Sequence, residues 1–296
     1  MTYVFKGDSF KNRIRIAGTL LSLSPTHIGT GKTREDKRKG KNGGDESSEI
    51  AMIALDGNGL PYLPGSAIKG VVRNYILQLL QADYPRVARE HDYQSNESRD
   101  MKQEDQIKFM ENDASMLEQV FGTPFAEGKV DFWDASASKK VTAPTSEWAK
   151  KGWNEVYQSY VVQSVAIDPI TGAAERHKLY SFDVVPQGVV YQVNIVGQNL
   201  SDAELGLLLF GMEGFNSKIV PLTIGAMSAR GFGRMAFKPE KIYRITKADL
   251  PAWIESSLMH CDSAGYGALP EITGSADTMM QSFKANFLHA ITRSGL

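Results

Sequence analysis

The sequence predicts an α+β fold, because segments that alternate apolar and polar residues are interleaved with segments of helical spacing. Residues 13–23 alternate at first and then become apolar throughout, as in a strand that enters a core. Over residues 67–81 the apolar positions recur at helical spacing. A second alternating strand is expected at 189–196, and Ser201 with Glu204 forms a capping box that opens a second helix.

The other elements complete a β-α-β-β-α-β order, which is the plan of ferredoxin-like, or RRM-like, domains. Strands are expected at Ile50–Leu55 and, more briefly, at 128–135. The turn residues Asp168 to Gly172 lie between extended arms and predict a long β-hairpin. Residues 234–246 are predicted as the last strand of the sheet.

Insertions and an extension account for the rest of the chain. We expect a domain over residues 1–247 that carries a basic flexible loop at 30–49, a helical insertion at 84–120 and the hairpin at 156–186. The loop is predicted to be mobile because its lysines, arginines and glycines cannot build a core. Residues 248–296 are expected to form a C-terminal helical extension that packs on the parent domain.

Bulk composition excludes several classes of protein. The chain has 296 residues, an apolar content of 42% and a formal net charge of −1, so any binding site for nucleic acid must be a local one. The single cysteine, Cys261, excludes an internal disulfide and a multi-cysteine zinc site. No secretory signal is recognised and the longest apolar run is too short to span a bilayer, so a cytoplasmic protein without a membrane partner is expected.

The most informative segment is residues 222–237, and we call its part at 222–234 the closing loop. Its glycines, Gly225, Gly231 and Gly233, allow positive φ and close backbone approach, and its Arg230 and Arg234 can hold phosphate. The spacing matches neither a Walker loop nor a dinucleotide-binding fingerprint. The segment therefore predicts a surface that binds a sugar-phosphate backbone, with a plain glycine-rich turn as the alternative.

A second cationic group is expected at the start of the first helix. Ser66 is the predicted N-cap, and Lys69 and Arg73 lie four residues apart on one face. Free amides at the helix N-terminus and these two cations would together suit an anion, whereas a solvated polar face is the alternative. Trp133 is interpreted as a core residue in preference to a base-stacking one.

Four motifs together resemble one family, the repeat-associated mysterious protein (RAMP) superfamily. They are the turn His27-Ile28-Gly29, the segment Pro-Tyr-Leu-Pro-Gly-Ser-Ala-Ile-Lys-Gly at 61–70, the segment Ile-Asp-Pro-Ile-Thr-Gly at 167–172, and Arg-Gly-Phe-Gly-Arg at 230–234. Within this superfamily the chain is most similar to the repeated backbone subunit of type III CRISPR effector complexes.

The resemblance implies a palm that binds guide RNA and a hairpin that acts as a thumb over the guide of the next subunit. Its implied partners are a CRISPR guide RNA, single-stranded target RNA, and other effector subunits that include RAMP paralogues in a prokaryotic cytoplasm. The residues that it assigns to RNA are His27, Ser66, Lys69, Arg73, Arg176, Lys178, Gly225, Arg230, Gly231, Gly233 and Arg234.

The same resemblance implies that a loop acid cleaves target RNA with Mg²⁺ or Mn²⁺. Asp45 is the first candidate, as catalytic residue and metal ligand, and Glu46 is the second; Glu49 is a further acid of the same loop, and Asp36 is a weaker candidate. Two alternatives stay open: a subunit that only holds RNA or caps the filament, and a guide-processing endoribonuclease that uses His27 as a base.

Overall fold

The computed structural model describes residues 5–39, 45–167, 170, 174–259 and 276–294. Its strands are β1 (Asn12–Ser22), β2 (Gly29–Lys39), β3 (Asp45–Ile53), β4 (Tyr62–Leu63), β5 (Val130–Phe132), β6 (Ala135–Ser136), β7 (Trp153–Asn154), β8 (Ser159–Ile167), β9 (Ala174–Val184), β10 (Val190–Gln198) and β11 (Met235–Thr246). Its helices are α1 (Gly65–Leu80), α2 (Asn96–Arg99), α3 (Gln103–Asn112), α4 (Met116–Phe121), α5 (Glu147–Lys151), α6 (Asp202–Glu213), α7 (Leu250–Met259) and α8 (Ala276–Ser294).

The predicted α+β fold is confirmed by a four-stranded sheet with the order β11-β1-β10-β5. Every neighbouring pair in this sheet is antiparallel. With α1 between β1 and β5, and α6 between β10 and β11, this is the ferredoxin-like arrangement. We call this sheet with α1 and α6 the palm.

The core of the palm lies on one face of the sheet. Ile14, Ile16 and Leu20 alternate along β1 with more exposed residues and pack with the buried residues of α1 and α6. The capping box of Ser201 and Glu204 opens α6 as predicted.

Helix α6 is apolar on all sides because α8 covers the surface that faces away from the sheet. Met280, Phe283 and Phe287 of α8 are buried against the palm, as expected for a helix that packs on its parent domain. At Gly206 of α6 an added Cβ would lie 2.3 Å from the carbonyl oxygen of Phe283, so the close approach requires glycine.

A second sheet, with the order β2-β3-β9-β8-β7, corrects the prediction of a mobile loop at 30–49. The described residues of that segment form β2 and β3, which pair antiparallel. Strand β3 also pairs in parallel with β9, where Ile50 lies opposite Ser181. Pairing with neighbouring strands supplies backbone hydrogen bonds that composition cannot reveal, so a charged segment forms strands here.

A buried ion pair attaches the β2–β3 hairpin to β9. The Asp183 side chain is fully buried, and Arg34 donates to both of its carboxylate oxygens from Nη2 and Nε at 3.0 and 3.2 Å. The guanidinium carbon of Arg34 also lies 5.2 Å from the ring centroid of Tyr157. Strands β8 and β9 pair antiparallel, as the arms of the expected hairpin would, but most of its turn at 168–173 lies outside the described residues.

Short helices occupy the polar segment 84–120. A buried carboxylate organises it: Glu118 accepts from the amides of His91 and Ser115 at 2.9 and 2.8 Å and from the Tyr93 hydroxyl at 2.6 Å. Burial alone would raise the pKa of Glu118, but the hydrogen bonds from Tyr93, His91 and Ser115 outweigh it and hold that pKa below its usual value.

Candidate nucleic-acid interface

The closing loop lies at the end of the palm sheet where β1 ends, because Met235, the residue that follows the loop, pairs with Ser22. Gly225, Gly231 and Gly233 have φ of 92°, 84° and 75°, which confirms the expected positive φ. At Gly225 an added Cβ would lie 2.5 Å from the His27 carbonyl oxygen, and at Gly233 one would lie 2.0 Å from that of Ile224. Glycine is therefore required at both positions.

Hydrogen bonds from backbone amides attach the closing loop to the segment that follows β1. The amides of Ala226 and Gly233 donate to the carbonyl oxygens of His27 and Pro25 at 3.0 and 2.9 Å, and that of Arg234 donates to the Ser24 hydroxyl at 3.0 Å. The Gly231 amide is bonded within the loop, to Ser228. The amides of Gly231, Gly233 and Arg234 are thus already bonded within the protein and are not free to bind an anion.

The side chains of the closing loop lie against β9. The guanidinium carbon of Arg230 is 5.4 Å from the ring centroid of Tyr180, and Phe232 meets Phe182 edge-on at 5.9 Å between centroids. Arg230 and Arg234 are exposed, and in the described part of the chain neither has a carboxylate within ion-pair distance. The loop therefore presents an uncompensated positive charge beside an aromatic ring, a combination that suits nucleic acid.

Arg176 and Lys178 lie four and two residues before Tyr180 in β9. Their side chains are outside the described part of the structure, so their predicted contacts with RNA remain predictions. The pairing of β9 with β8 shifts register between Leu179 and Ala174, so alternation along the strand does not assign these two positions to the face that carries Tyr180. Sequence reasoning missed Tyr180, although the alternation Arg-x-Lys-x-Tyr at 176–180 was a signal for it.

His27 is buried, with 6% of its surface exposed. Its Nδ1 lies 2.6 Å from the Asp183 carbonyl oxygen and therefore donates to it, and its ring meets Phe182 edge-on at 5.4 Å. The imidazole thus links the end of β1 to β9. This position favours a structural role over the direct contact with RNA that the sequence predicted.

The first helix differs from its prediction at the N-terminus. Helix α1 begins at Gly65 with Pro64 as N-cap, so the prediction of Ser66 as N-cap is wrong, and Ser66 is an exposed residue of the first turn. The Asp134 carboxylate accepts from the Gly65 amide at 2.8 Å. A carboxylate of the protein therefore already lies at the positive end of α1, where an anion was expected.

Lys69 and Arg73 point toward another part of the molecule. The Lys69 ammonium donates to the Val130 carbonyl oxygen at 3.2 Å, and Arg73 pairs with Glu90 at 3.2 Å. Burial lowers the pKa of Lys69, and the charge of Asp131 offsets part of this effect. None of the described contacts of these two cations involves the closing loop, so the structure does not bring the two predicted cationic groups together.

Asp45 and Glu46 lie in the first two positions of β3, opposite Lys39 and Arg38 of β2. Their side chains are outside the described part of the structure, so their catalytic and metal-binding roles remain predictions. Carboxylate oxygens are suitable ligands for Mg²⁺, so both acids remain candidates by their chemistry. Among the residues whose placement is described, no group of three histidine, cysteine or acidic side chains could hold a metal ion.

Comparison with protein families identifies a match. A sequence model of the RAMP superfamily matches residues 19–236, which run from within β1 to the start of β11 and include the second sheet. No curated protein matches the chain. In the described residues, no helix is both long and apolar enough to cross a bilayer.

Proposed function

Because the chain belongs to the RAMP superfamily, whose members work with RNA and other subunits in CRISPR complexes, we propose that it is the guide-binding backbone subunit of a type III effector. The observation that carries the proposal is the closing loop, which holds Arg230 and Arg234 exposed beside Tyr180 of β9. Arg176 and Lys178 extend the same strand toward the hairpin tip. Guide phosphates would bind the arginines, and Tyr180 would support a base or ribose.

A double charge reversal tests this interface. Arg230→Glu with Arg234→Glu should weaken guide binding by at least about tenfold and flatten its salt dependence by about 0.7 in log–log slope for each lost phosphate contact. The matched control is Lys102→Glu with Lys108→Glu, which makes the same charge change on exposed residues at α3. A filter-binding titration at several salt concentrations measures both. Equal losses in the two variants would refute a local site.

We assign Lys69 and Arg73 a smaller contribution to guide binding, because each already has a partner in the protein. Reversal of both to Glu is expected to reduce guide retention less than reversal of the arginines in the closing loop. Ser66, which is exposed on the first turn of α1, would contribute one hydroxyl. The same titration ranks these contributions.

We further propose that the subunit cleaves target RNA through Asp45, with Glu46 as the second candidate. Mg²⁺ or Mn²⁺ would stabilise the charge that develops on the scissile phosphate, and the carboxylate would position it. Two observations support the proposal: the Arg34–Asp183 pair anchors β2 to β9, and Asp45 and Glu46 pair with Lys39 and Arg38 at the end of β2.

Cleavage assays on the assembled complex separate the candidates. Asp45→Ala should abolish cutting at this subunit's position while guide binding stays unchanged, and Glu35→Ala, at an exposed position of the neighbouring strand β2, serves as the control. Persistence of cutting in Asp45→Ala and in Glu46→Ala, alone and combined, would favour a subunit that only holds RNA. Cutting that survives EDTA would favour the histidine mechanism, which the burial of His27 disfavours.

A further inference from the structure

Helices α1 and α6 cover one face of the palm sheet, and a row of four side chains crosses the opposite face. We call Trp133, Asn194, Arg15 and Tyr243 the open-face row. Arg15 lies between the buried residues Ile14 and Ile16, so it points away from the helices. It is opposite Tyr243 in the pairing of β1 with β11. The Trp133 amide donates to the Asn194 carbonyl oxygen at 3.1 Å, which places Trp133 at the far end of the row.

The row is held together at its centre by Arg15. Its Nε and Nη2 donate to the Asn194 side-chain oxygen at 3.0 and 2.7 Å. The guanidinium carbon lies 5.5 Å from the Trp133 ring centroid and 5.8 Å from that of Tyr243. A neutral amide and two rings thus orient the cation without neutralising its charge.

Exposure and charge show what the row offers to a ligand. Trp133 is 48% exposed, which corrects its interpretation as a core residue. Within the described residues, Arg15 has no carboxylate at ion-pair distance, and Arg13, two residues earlier on β1, is exposed. The nearby Asp131 is paired with Lys6 at 2.8 Å. An exposed indole therefore lies beside Arg15, Arg13 lies two residues earlier on β1, and Asp131 of the adjoining strand has its own partner.

We propose that the open-face row is a second binding site for single-stranded RNA, in which a base stacks on Trp133 and Arg13 and Arg15 contact phosphates. Aromatic faces accept any base, and adjacent cations attract the backbone. A cationic and aromatic face fits a polyanion better than it fits an apolar protein surface. The proposal rests on the proposed function only in that RNA is the ligand.

The row is separate from the closing loop. Tyr243 follows Met235, the first residue after that loop, by eight positions along β11, which corresponds to roughly 25 Å in a strand. One short contact with RNA cannot cover both places. Variants of the row and of the closing loop therefore report on different sites.

Binding of a fluorescein-labelled 12-nucleotide oligouridine to the full chain, purified free of nucleic acid, tests the row. Trp133→Leu should weaken binding by about tenfold, and Trp133→Phe, which keeps a ring, should weaken it less. Ile219→Ala, at an apolar side chain that is 92% exposed, is the control and should bind like the wild type. Thermal unfolding checks that each variant is folded. Crosslinking of the wild type to 5-iodouridine RNA should modify Trp133 or Tyr243.

The outcomes are distinguishable. If Arg230→Glu with Arg234→Glu weakens binding but Trp133→Leu does not, the row is refuted while the proposed function stands. If no form of the chain binds the oligonucleotide, both proposals are refuted. Crosslinks that avoid Trp133 and Tyr243 would overturn the proposal. A Trp133→Leu variant that binds RNA normally but no longer binds a neighbouring protein subunit would also overturn it and assign this face to a protein contact. Should the substitutions prevent folding, crosslinking of the wild type decides.

Discussion

The palm and the second sheet are stabilised in different ways. In the palm, alternating apolar residues of β1, β10 and β11 pack with α1 and α6 in one large core. The second sheet has a small core of Ala149, Tyr160, Phe182 and Val184, and its β2–β3 hairpin is attached through the buried Arg34–Asp183 pair. The palm is a scaffold built from apolar burial, whereas the hairpin that carries the acids combines the Arg34–Asp183 pair with the pairing of β3 to β9 and two buried residues, Ile50 and Ile53.

This difference predicts which substitutions destabilise the whole molecule and which affect a single element. Apolar burial acts over the whole palm, so its loss destabilises the molecule globally. A polar anchor acts locally, so its loss should release one element and leave the remainder folded. Three substitutions test this prediction.

The largest effect is expected in the palm. Leu208 in α6 is fully buried between the sheet and α8. Leu208→Ala should lower the free energy of unfolding by about 3–5 kcal/mol, since it removes buried surface and leaves a cavity. Urea unfolding measures this loss, and Leu288→Ala, at an α8 side chain that is 62% exposed, is the control. A loss below about 1 kcal/mol would contradict the view of the palm as the main source of stability.

An intermediate effect, confined to the second sheet, is expected for Asp183→Asn. The substitution keeps the shape of the side chain but leaves the guanidinium of Arg34 without its charged partner, at a cost of about 3 kcal/mol. Hydrogen exchange should accelerate in β2 and β3 and stay unchanged in β1 and β10. Asp105→Asn, in an exposed pair with Lys108, should change stability by less than about 1 kcal/mol. Equal acceleration in both sheets would show that they unfold as one unit.

The smallest effect is expected in the helical insertion, from Glu118→Gln. Each carboxylate oxygen accepts a backbone amide, from His91 and from Ser115, so the NH₂ group of glutamine must face one of these donors. The expected loss is about 2 kcal/mol at neutral pH. Urea unfolding of both proteins at neutral pH measures it, and an unchanged midpoint would contradict the role of the carboxylate.

The pH dependence sharpens this prediction. Because the pKa of Glu118 is lower in the folded protein than its ordinary value of 4.5, the stabilisation by this carboxylate is complete above pH 4.5 and is lost as the pH falls through the folded pKa. The difference in stability between wild type and Glu118→Gln should therefore shrink below pH 4.5. A constant difference down to acidic pH would show that the carboxylate is not stabilised in its charged form.

Hydrophobic periodicity predicted most of the palm. β1, α1, α6 and β11 follow from apolar spacing, and the start of α6 follows from the local pair Ser201 and Glu204. The start of α1 was placed incorrectly, because Asp134, which accepts from its first amide, lies far away in the sequence. The β2 strand was missed because it consists mainly of charged residues, and only its pairing with β3 makes it a strand.

The candidate site was predicted in part. Glycines at 225, 231 and 233 indicated positive φ, and the structure has it. Nothing in the sequence shows that Arg230 packs over Tyr180, since this contact joins the closing loop to a strand of the other sheet. Lys69 and Arg73 shared a helix face as expected, but the residues that this face meets depend on tertiary packing.

The approach of α8 to α6 at Gly206 has a consequence for assembly. One side of α8 is already occupied by its own palm through Met280, Phe283 and Phe287, so that side is closed to any neighbouring copy. A neighbouring molecule can contact this part of the helix only on its outward surface, around Leu288. A bulkier residue at 206 would displace the helix and expose its apolar side to solvent, which favours aggregation.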